Sequence, residues 1–235
     1  MPDVATRLNA VKSLRKELGS RLFFGTDLLR EFGKNGAGEA FPPAGGVAGE
    51  SGIAGLVAGL RPGRLTEVVV AGPSQGGGLV LAALLARARL EGSYAMLFDV
   101  GSGFAVESFP DRDLETLLWV GCDSVLQAVT AFDIAARDEN FRWFVLDGRE
   151  GKSEDWRAVR PSLWQRISLL LRERGAAGLI LARTPVTGVS KDRHEVTARF
   201  GLEALHAERS RLFSAVRVGQ GSGNHGEGGR RRLAG

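Results

Sequence analysis

The sequence predicts an α/β protein with a mainly parallel β-sheet and helices on both faces. Short apolar runs of strand length alternate with helix-length segments over about residues 51–183, which is the pattern of consecutive strand–helix units. After residue 190, apolar and polar positions alternate, which predicts antiparallel strands at the C-terminal end. Near the N-terminus, apolar residues recur at intervals of three or four, which predicts a separate amphipathic helix.

Composition divides the chain into four parts. We predict an N-terminal helix in 1–33, a flexible glycine- and proline-rich linker in 34–50, a core domain in 51–218 and a disordered basic tail in 219–235. The helix is predicted over about residues 3–32, and its apolar stripe consists of Val4, Leu8, Val11, Leu14, Leu18 and Leu22.

The apolar stripe and the tail are candidate contact surfaces. The stripe must be buried on its own domain or on a neighbouring subunit, so Leu14 and Leu18 are candidate contact residues and self-association is an expected use of the helix. In the tail, Arg230, Arg231 and Arg232 are candidates for contacts to a phosphate or a carboxylate. Three arginines neutralise about three phosphates, which is enough for a weak DNA contact but not for tight binding alone. A solubilising tail without a partner is the alternative.

Within the core, turn residues separate each predicted element from the next. Strands are predicted at 64–71, 94–100, 117–122, 143–148 and 177–183, and helices at 51–59, 77–90, 124–138 and 160–175. Ser124 can cap the start of the third helix, and Gly175 can end the fourth. Two antiparallel strands are predicted at 196–203 and 212–218.

Charge and cysteine content limit the classes of function. The net charge of +4 and the pI near 9.7 permit contact with nucleic acid without demonstrating it. The single Cys122 excludes an internal disulfide framework and a zinc cluster, and it is expected to be a packed small hydrophobe. Neither a signal peptide nor an apolar run of membrane-spanning length is found, so we expect a cytoplasmic protein with no membrane segment.

The segment AGPSQGGGLVLAALL, residues 71–85, has the arrangement of a phosphate-binding P-loop. Its first glycines can still shape a backbone that holds phosphates at a helix N-terminus. However, Gly78 stands where such loops carry a lysine, and Leu79 stands where they carry the hydroxyl that binds Mg²⁺. Because each lost charge-assisted contact is worth about 1.5–3 kcal/mol, losing both is expected to weaken nucleotide binding about 10²–10⁴-fold.

Residues 59–78, GLRPGRLTEVVVAGPSQGGG, resemble the entry to the core of the RecA recombinases. AMLFDV is placed like the second core strand of that family, and WFVLDG resembles its Walker B strand, which ends here in Asp147. The order of elements is similar over about residues 50–218. Within the superfamily, the short chain and the altered P-loop resemble the ImuA-type accessory proteins, and the SulA-type cell-division inhibitors share the same RecA-derived shape.

The resemblance implies a non-catalytic accessory protein in the DNA-damage (SOS) response and translesion synthesis. It implies a protein partner, either an ImuB-like Y-family polymerase homologue or a recombinase, with no cofactor, metal or catalytic residue. The vestigial nucleotide-binding positions would be Gly72, Pro73, Gly76, Gly77, Gly78 and Asp147. The alternatives are a weak ATPase that takes a lysine or arginine from elsewhere, and a SulA-like inhibitor of cell division.

Two places in the sequence differ from the recombinases at positions that serve hydrolysis and DNA binding in that family. A glutamate follows the second core strand in that family and positions the attacking water, whereas this chain has Asp99 there and Glu107 farther on. The segment 184–196 occupies the place of the DNA-binding loops, and its positive charges are Lys191 and Arg193. We therefore expect neither hydrolysis nor filament-type DNA binding.

Overall fold

The structure is a computed structural model, and it describes residues 22–24, 52–198, 200, 204 and 207–221. Within these residues, eight strands form one mixed sheet. In chain order the strands are β1 (Leu22–Phe24), β2 (Leu65–Val69), β3 (Tyr94–Val100), β4 (Leu117–Cys122), β5 (Phe141–Asp147), β6 (Ala177–Ala182), β7 (Asp192–Thr197) and β8 (Arg217–Gln220).

Helices connect these strands. In chain order they are α1 (Ile53–Gly59), α2 (Gly77–Leu90), α3 (Asp111–Leu114), α4 (Val125–Ala135), α5 (Ser153–Arg157), α6 (Pro161–Arg174) and α7 (Arg209–Ala215). The predicted caps are confirmed: the Ser124 hydroxyl accepts the Gln127 amide at 3.2 Å, and Gly175 ends α6 in the left-handed region at φ 63°. None of the helices within the described ranges is long and apolar enough to cross a membrane.

The sheet is parallel in its centre and antiparallel at both edges. Its strand order is β1-β4-β3-β5-β6-β2-β7-β8. All pairings from β4 to β7 are parallel, whereas β1 and β8 run antiparallel to their neighbours. The predicted α/β class, the mainly parallel sheet and an antiparallel strand at its C-terminal end are therefore confirmed.

Two apolar clusters cover the faces of the sheet. Successive residues of a strand point to opposite faces, so Leu97 packs in the cluster that includes α1 and α2, whereas Phe98 packs in the cluster that includes α4 and α6. Both side chains are fully buried. Burial on two faces explains why the central strands are continuous apolar runs rather than alternating ones.

At the N-terminal edge of the sheet, the structure corrects the predicted helix. Leu22–Phe24, the part of the 3–32 segment that it describes, is strand β1 and not helix. Leu22 pairs with Val120, and Phe23 stacks on Trp119 with ring centroids 5.3 Å apart. The free edge of β4 supplies hydrogen-bond partners that local periodicity does not reveal. The rest of the segment, including Leu14 and Leu18, and the linker lie outside the described residues.

Three predictions near the C-terminus are also wrong in position. The predicted strand 196–203 is instead β7, which begins at Asp192 and also pairs in parallel with β2. The predicted strand 212–218 is largely helix α7, and only its last residues join β8. Gly219 and Gln220, predicted to be disordered, lie in β8. Backbone pairing on both sides holds β7 although its sequence, DRHEVT, is mostly polar.

Candidate functional site

A cavity of about 420 Å³ opens where the parallel strands β2, β3 and β5 end. Ligands of open α/β sheets typically bind at this edge. The segment after β2, the loop after β3 and the residues that end and follow β5 contribute most of its lining. The lining residues are Ser74, Gly76, Gly77, Gly78, Leu79, Leu81, Gly103, Phe104, Ala105, Ser108, Phe109, Asp147, Arg149, Phe200 and Leu212.

The segment between β2 and α2 turns sharply. Ser74 and Gly76 both have left-handed backbone, with φ 57° and 95°. Gly76 is the N-cap of α2, and no side chain caps the helix. The first N–H groups of a helix have no partner within it, so the amides of Gly77 and Gly78 remain as donors at the cavity.

Two of the three glycines at positions 76–78 lie against close neighbours. A Cβ on Gly76 would lie 3.0 Å from a methyl group of Val216, and a Cβ on Gly77 would overlap with the guanidinium of Arg149. Gly78 differs, because a Cβ there would meet nothing within 4 Å. The glycine run thus lets the start of α2 approach the C-terminal segment and Arg149 closely, while Gly78 faces open space.

Asp147, at the end of β5, is bound by an arginine two residues farther along the chain. Its Oδ1 accepts from Nε of Arg149 at 2.8 Å, and its Oδ2 accepts from Nη2 at 2.6 Å. Burial alone would lower the pKa of Arg149, but the hydrogen bonds to Asp147 and its charge outweigh burial and raise that pKa. Arg183 supports this arrangement by donating to the Arg149 carbonyl at 2.5 Å. Both oxygens of the carboxylate are therefore engaged within the protein.

Asp99, at the end of β3, is a structural acceptor. Its carboxylate accepts from the amides of Gly103 and Phe104 at 3.2 and 3.1 Å and from the indole of Trp119 at 3.3 Å. Burial raises the pKa of Asp99, and the negative charge of Asp147 raises it further against these hydrogen bonds. Asp99 therefore holds the loop that lines the cavity and does not line it, and Glu107 is exposed outside it.

The segment after β6 is held by Glu67, a fully buried residue of β2. The Glu67 carboxylate accepts from the amides of Val186 and Thr187 at 2.5 and 3.0 Å. It also forms an ion pair with Arg193 at 2.8 Å. One of the two positive charges of the segment 184–196 is thus neutralised internally, and Lys191 is left exposed.

Only some of the predicted nucleotide-binding residues lie together in the structure. Gly76, Gly77, Gly78 and Asp147 line the same cavity, whereas Gly72 and Pro73 do not. Arg230, Arg231 and Arg232 lie outside the described residues. Arg149 and the aromatic residues Phe104, Phe109 and Phe200 also line the cavity and were not predicted from the sequence. A basic residue two positions after the strand that ends in Asp147 was the available signal for Arg149.

Cys122 packs in the core, as predicted. Its side chain is buried in the cluster that includes α4 and α6. Burial, followed by the charges of Asp99 and Asp123, raises the pKa of the thiol to about 12. The thiol is therefore protonated at neutral pH and is a poor nucleophile.

The residues of the cavity do not fit a magnesium–nucleotide complex. Both oxygens of Asp147 already accept hydrogen bonds from the Arg149 guanidinium, whose positive charge disfavours a metal ion there, and neither Gly78 nor Leu79 has a side chain that binds phosphate or Mg²⁺.

No protein-family model matches the chain, and a search of curated proteins gave no match. Over the described residues, the chain has an α/β fold with an eight-stranded, mostly parallel mixed sheet, which is compatible with a Rossmann- or RecA-like core.

Proposed function

We propose that this chain is a non-catalytic RecA-like accessory protein that acts through protein–protein contacts in the DNA-damage response and translesion mutagenesis. The bidentate ion pair between Asp147 and Arg149 carries the proposal. In an active site of this geometry the acid would hold a hydrated metal ion, whereas here an arginine of the same chain holds it. The resemblance to the ImuA-type proteins supplies the biological setting, and the cytoplasm is the expected location.

Two other contacts support a role in protein–protein contacts, one because it disfavours hydrolysis and the other because it disfavours filament-type DNA binding. Asp99, at the place of the water-positioning glutamate, is committed to the loop that contains Gly103 and Phe104. Arg193, in the segment that corresponds to the DNA-binding loops, is committed to Glu67. A weak DNA contact through Arg230, Arg231 and Arg232 remains part of the proposal, and an ImuB-like polymerase homologue or a recombinase is the proposed partner.

The nucleotide side of the proposal is tested by titrating Mg-ATP against the full-length protein. We expect no saturable binding in the low-micromolar range and no hydrolysis above a buffer blank. The matched variant Gly78→Lys/Leu79→Thr restores the missing lysine and hydroxyl and is expected to gain nucleotide affinity. Adding Arg149→Gln to this pair frees Asp147, so we expect Mg²⁺ to strengthen binding only then. Robust turnover by the unmodified protein would refute the non-catalytic proposal.

The partner side is tested with purified proteins from the same genome. An ImuB-like polymerase homologue and the recombinase are each immobilised, and capture of the full chain is measured by surface plasmon resonance. Deletion of residues 222–235 removes the arginine block but spares β8, so it separates a tail contact from a contact of the core. Capture by neither partner would contradict the mutagenesis role and leave the nucleotide result unaffected.

A weak ATPase is the second candidate, because Arg149 places a cation beside the start of α2. Gly77 lies against its guanidinium, in the region where a P-loop cation is needed. If this arginine serves as the phosphate cation, Arg149→Gln abolishes residual hydrolysis and Arg166→Gln does not. The absence of turnover in the unmodified protein would exclude this candidate.

A further inference from the structure

The cavity beside α2 combines an apolar wall with one cationic group. Its apolar lining consists of Leu79, Leu81, Phe104, Phe109, Phe200 and Leu212. Phe104 and Phe109 pack on each other with ring centroids 4.8 Å apart, and Phe104 also contacts Trp119 at 5.7 Å. The wall is therefore anchored in the core. A volume of about 420 Å³ falls within the range of small-molecule pockets.

Arg149 retains hydrogen-bonding capacity toward this cavity. Nε and Nη2 of its guanidinium donate to Asp147, and Nη1 has no acceptor among the described residues. Nη1 lies against Gly77, which lines the cavity together with Arg149. A quarter of the Arg149 side chain is exposed, so it is accessible to a ligand without breaking its ion pair.

The balance of charge favours a ligand with one negative charge. Asp147 and Arg149 cancel, and the start of α2 contributes roughly half a positive charge. A triphosphate brings about four negative charges at neutral pH and would also repel Asp147 at short range. A monoanion needs no further cation, because Nη1 and the amides of Gly77 and Gly78 are sufficient donors for it.

We propose that the cavity binds a single carboxylate, or an acid group of like charge, carried on an apolar body. The acid group accepts from Nη1 of Arg149 and from the amides at the start of α2, and the apolar body packs against Phe104 and Phe109. Only the source of the ligand rests on the proposed function. If the protein docks on a partner, the ligand is an acidic or C-terminal residue of that partner. A free aromatic or aliphatic acid presents the same chemistry.

The test uses two dyes with the same rings and different charge. 8-Anilinonaphthalene-1-sulfonate is an anion, and N-phenyl-1-naphthylamine is its uncharged counterpart. The affinity of the full-length protein for each dye is measured by fluorescence titration. The ratio of the affinity for the anionic dye to that for the uncharged dye is then compared between variants, because a general change in hydrophobic exposure affects both affinities and cancels in the ratio. One charge-assisted contact changes an affinity at least about tenfold.

We expect Arg149→Gln to reduce the preference for the anionic dye about tenfold. Arg166→Gln is the matched control, since Arg166 forms the same bidentate pair with buried Asp133 but does not line the cavity. It is expected to leave the ratio unchanged. If Arg149→Gln fails to fold, Gly78→Glu and Gly78→Gln replace it, because a side chain fits at Gly78. The glutamate variant should lower the ratio and the glutamine variant should not.

Displacement of the anionic dye then identifies the source of the ligand. The competitors are 3-phenylpropionate and a capped four-residue peptide that ends in phenylalanine, with its C-terminus either free or amidated. Displacement by the free-carboxylate peptide at lower concentration than by 3-phenylpropionate supports a partner segment. The reverse order supports a free acid and removes this cavity from the proposed docking role. A dye ratio insensitive to Arg149 and Gly78, or displacement by the amide as efficient as by the acid, overturns the proposal.

Discussion

The guanidinium of Arg149 lies directly against the Cα of Gly77, so that a Cβ at this glycine would fall 2.9 Å from Cζ of the arginine. This contact joins the start of α2 to the segment after β5. It places a positive charge beside the positive end of a helix, which is favourable only because Asp147 neutralises it. Gly78, the next residue, has no such constraint.

The two adjacent glycines are therefore expected to respond differently to alanine. Gly77→Ala forces Arg149 away from its position and should lower the free energy of unfolding by about 1–3 kcal/mol. Gly78→Ala should leave it unchanged or raise it by about 0.5 kcal/mol, because alanine is the better helix former. Urea unfolding of both variants measures the difference. Equal effects would show that Arg149 does not rest on Gly77.

The ion pair between Asp147 and Arg149 should be energetically coupled. Asp147→Asn or Arg149→Gln alone leaves a largely buried charge without its partner, whereas the double variant removes both charges. We expect a coupling free energy of about 2 kcal/mol from a double-mutant cycle in urea. The pair Asp133–Arg166 has similar hydrogen-bond geometry but an exposed arginine, and its cycle should give a smaller value. Additive effects at Asp147 and Arg149 would contradict the bidentate pair.

Elements defined by local sequence were predictable. The strands β3 and β4 and the helix α2 match their predicted bounds residue for residue, because each is an apolar run of the expected length between turn-forming residues. The boundary residues Ser124 and Gly175 were predictable for the same reason. The Ser124 hydroxyl accepts from a backbone amide three residues on, and Gly175 adopts a left-handed backbone, so neither role depends on a distant partner.

Elements that depend on distant partners were not predictable. β1 is a strand because β4 has a free edge, and β7 is a strand because β2 and β8 pair with it on either side. Within the site, the glycines were predicted from the P-loop pattern, and Asp147 was predicted from the resemblance of WFVLDG to a Walker B strand. The role of Arg149 was not predicted, because a spacing of two residues does not show that its guanidinium binds the Asp147 carboxylate.

Glu67 is expected to determine the position of the segment after β6. Glu67→Ala removes the acceptor of the Val186 and Thr187 amides and leaves Arg193 without its partner, so we expect a loss of about 3–5 kcal/mol. Hydrogen exchange at those two amides should accelerate. Glu150→Ala is the control, because Glu150 forms a largely exposed pair with Arg183 and should cost at most about 1 kcal/mol. Unchanged exchange at Val186 and Thr187 would contradict this function of Glu67.

Asp99 should make the stability of the protein depend on pH in the acid range. Burial, reinforced by Asp147, raises its pKa in the folded state above the ordinary value of 3.8. The folded protein therefore binds a proton more tightly than the unfolded chain at this residue, and acidification favours folding here. The stabilisation is fully present below pH 3.8 and is lost as the pH rises through the raised pKa.

Asp99→Asn isolates this contribution, because the amide does not titrate. Its single oxygen replaces only one of the two acceptor oxygens of the carboxylate, and the hydrogen bond lost with the other oxygen lowers stability by an amount that does not depend on pH. Free energies of unfolding are measured in urea at several pH values from about 7.5 to about 4, and the value for the variant is subtracted from that of the unmodified protein. We expect this difference to grow in favour of the unmodified protein as the pH falls, since the other titrating groups largely cancel in the subtraction. Asp111→Asn, at an exposed residue in the first turn of α3, is measured beside it as the control for removing one carboxylate from the protein. The difference in free energy of unfolding between the unmodified protein and Asp99→Asn could instead stay constant or shrink toward pH 4. That result would mean that the three hydrogen bonds stabilise the charged carboxylate and that burial does not dominate the pKa of Asp99.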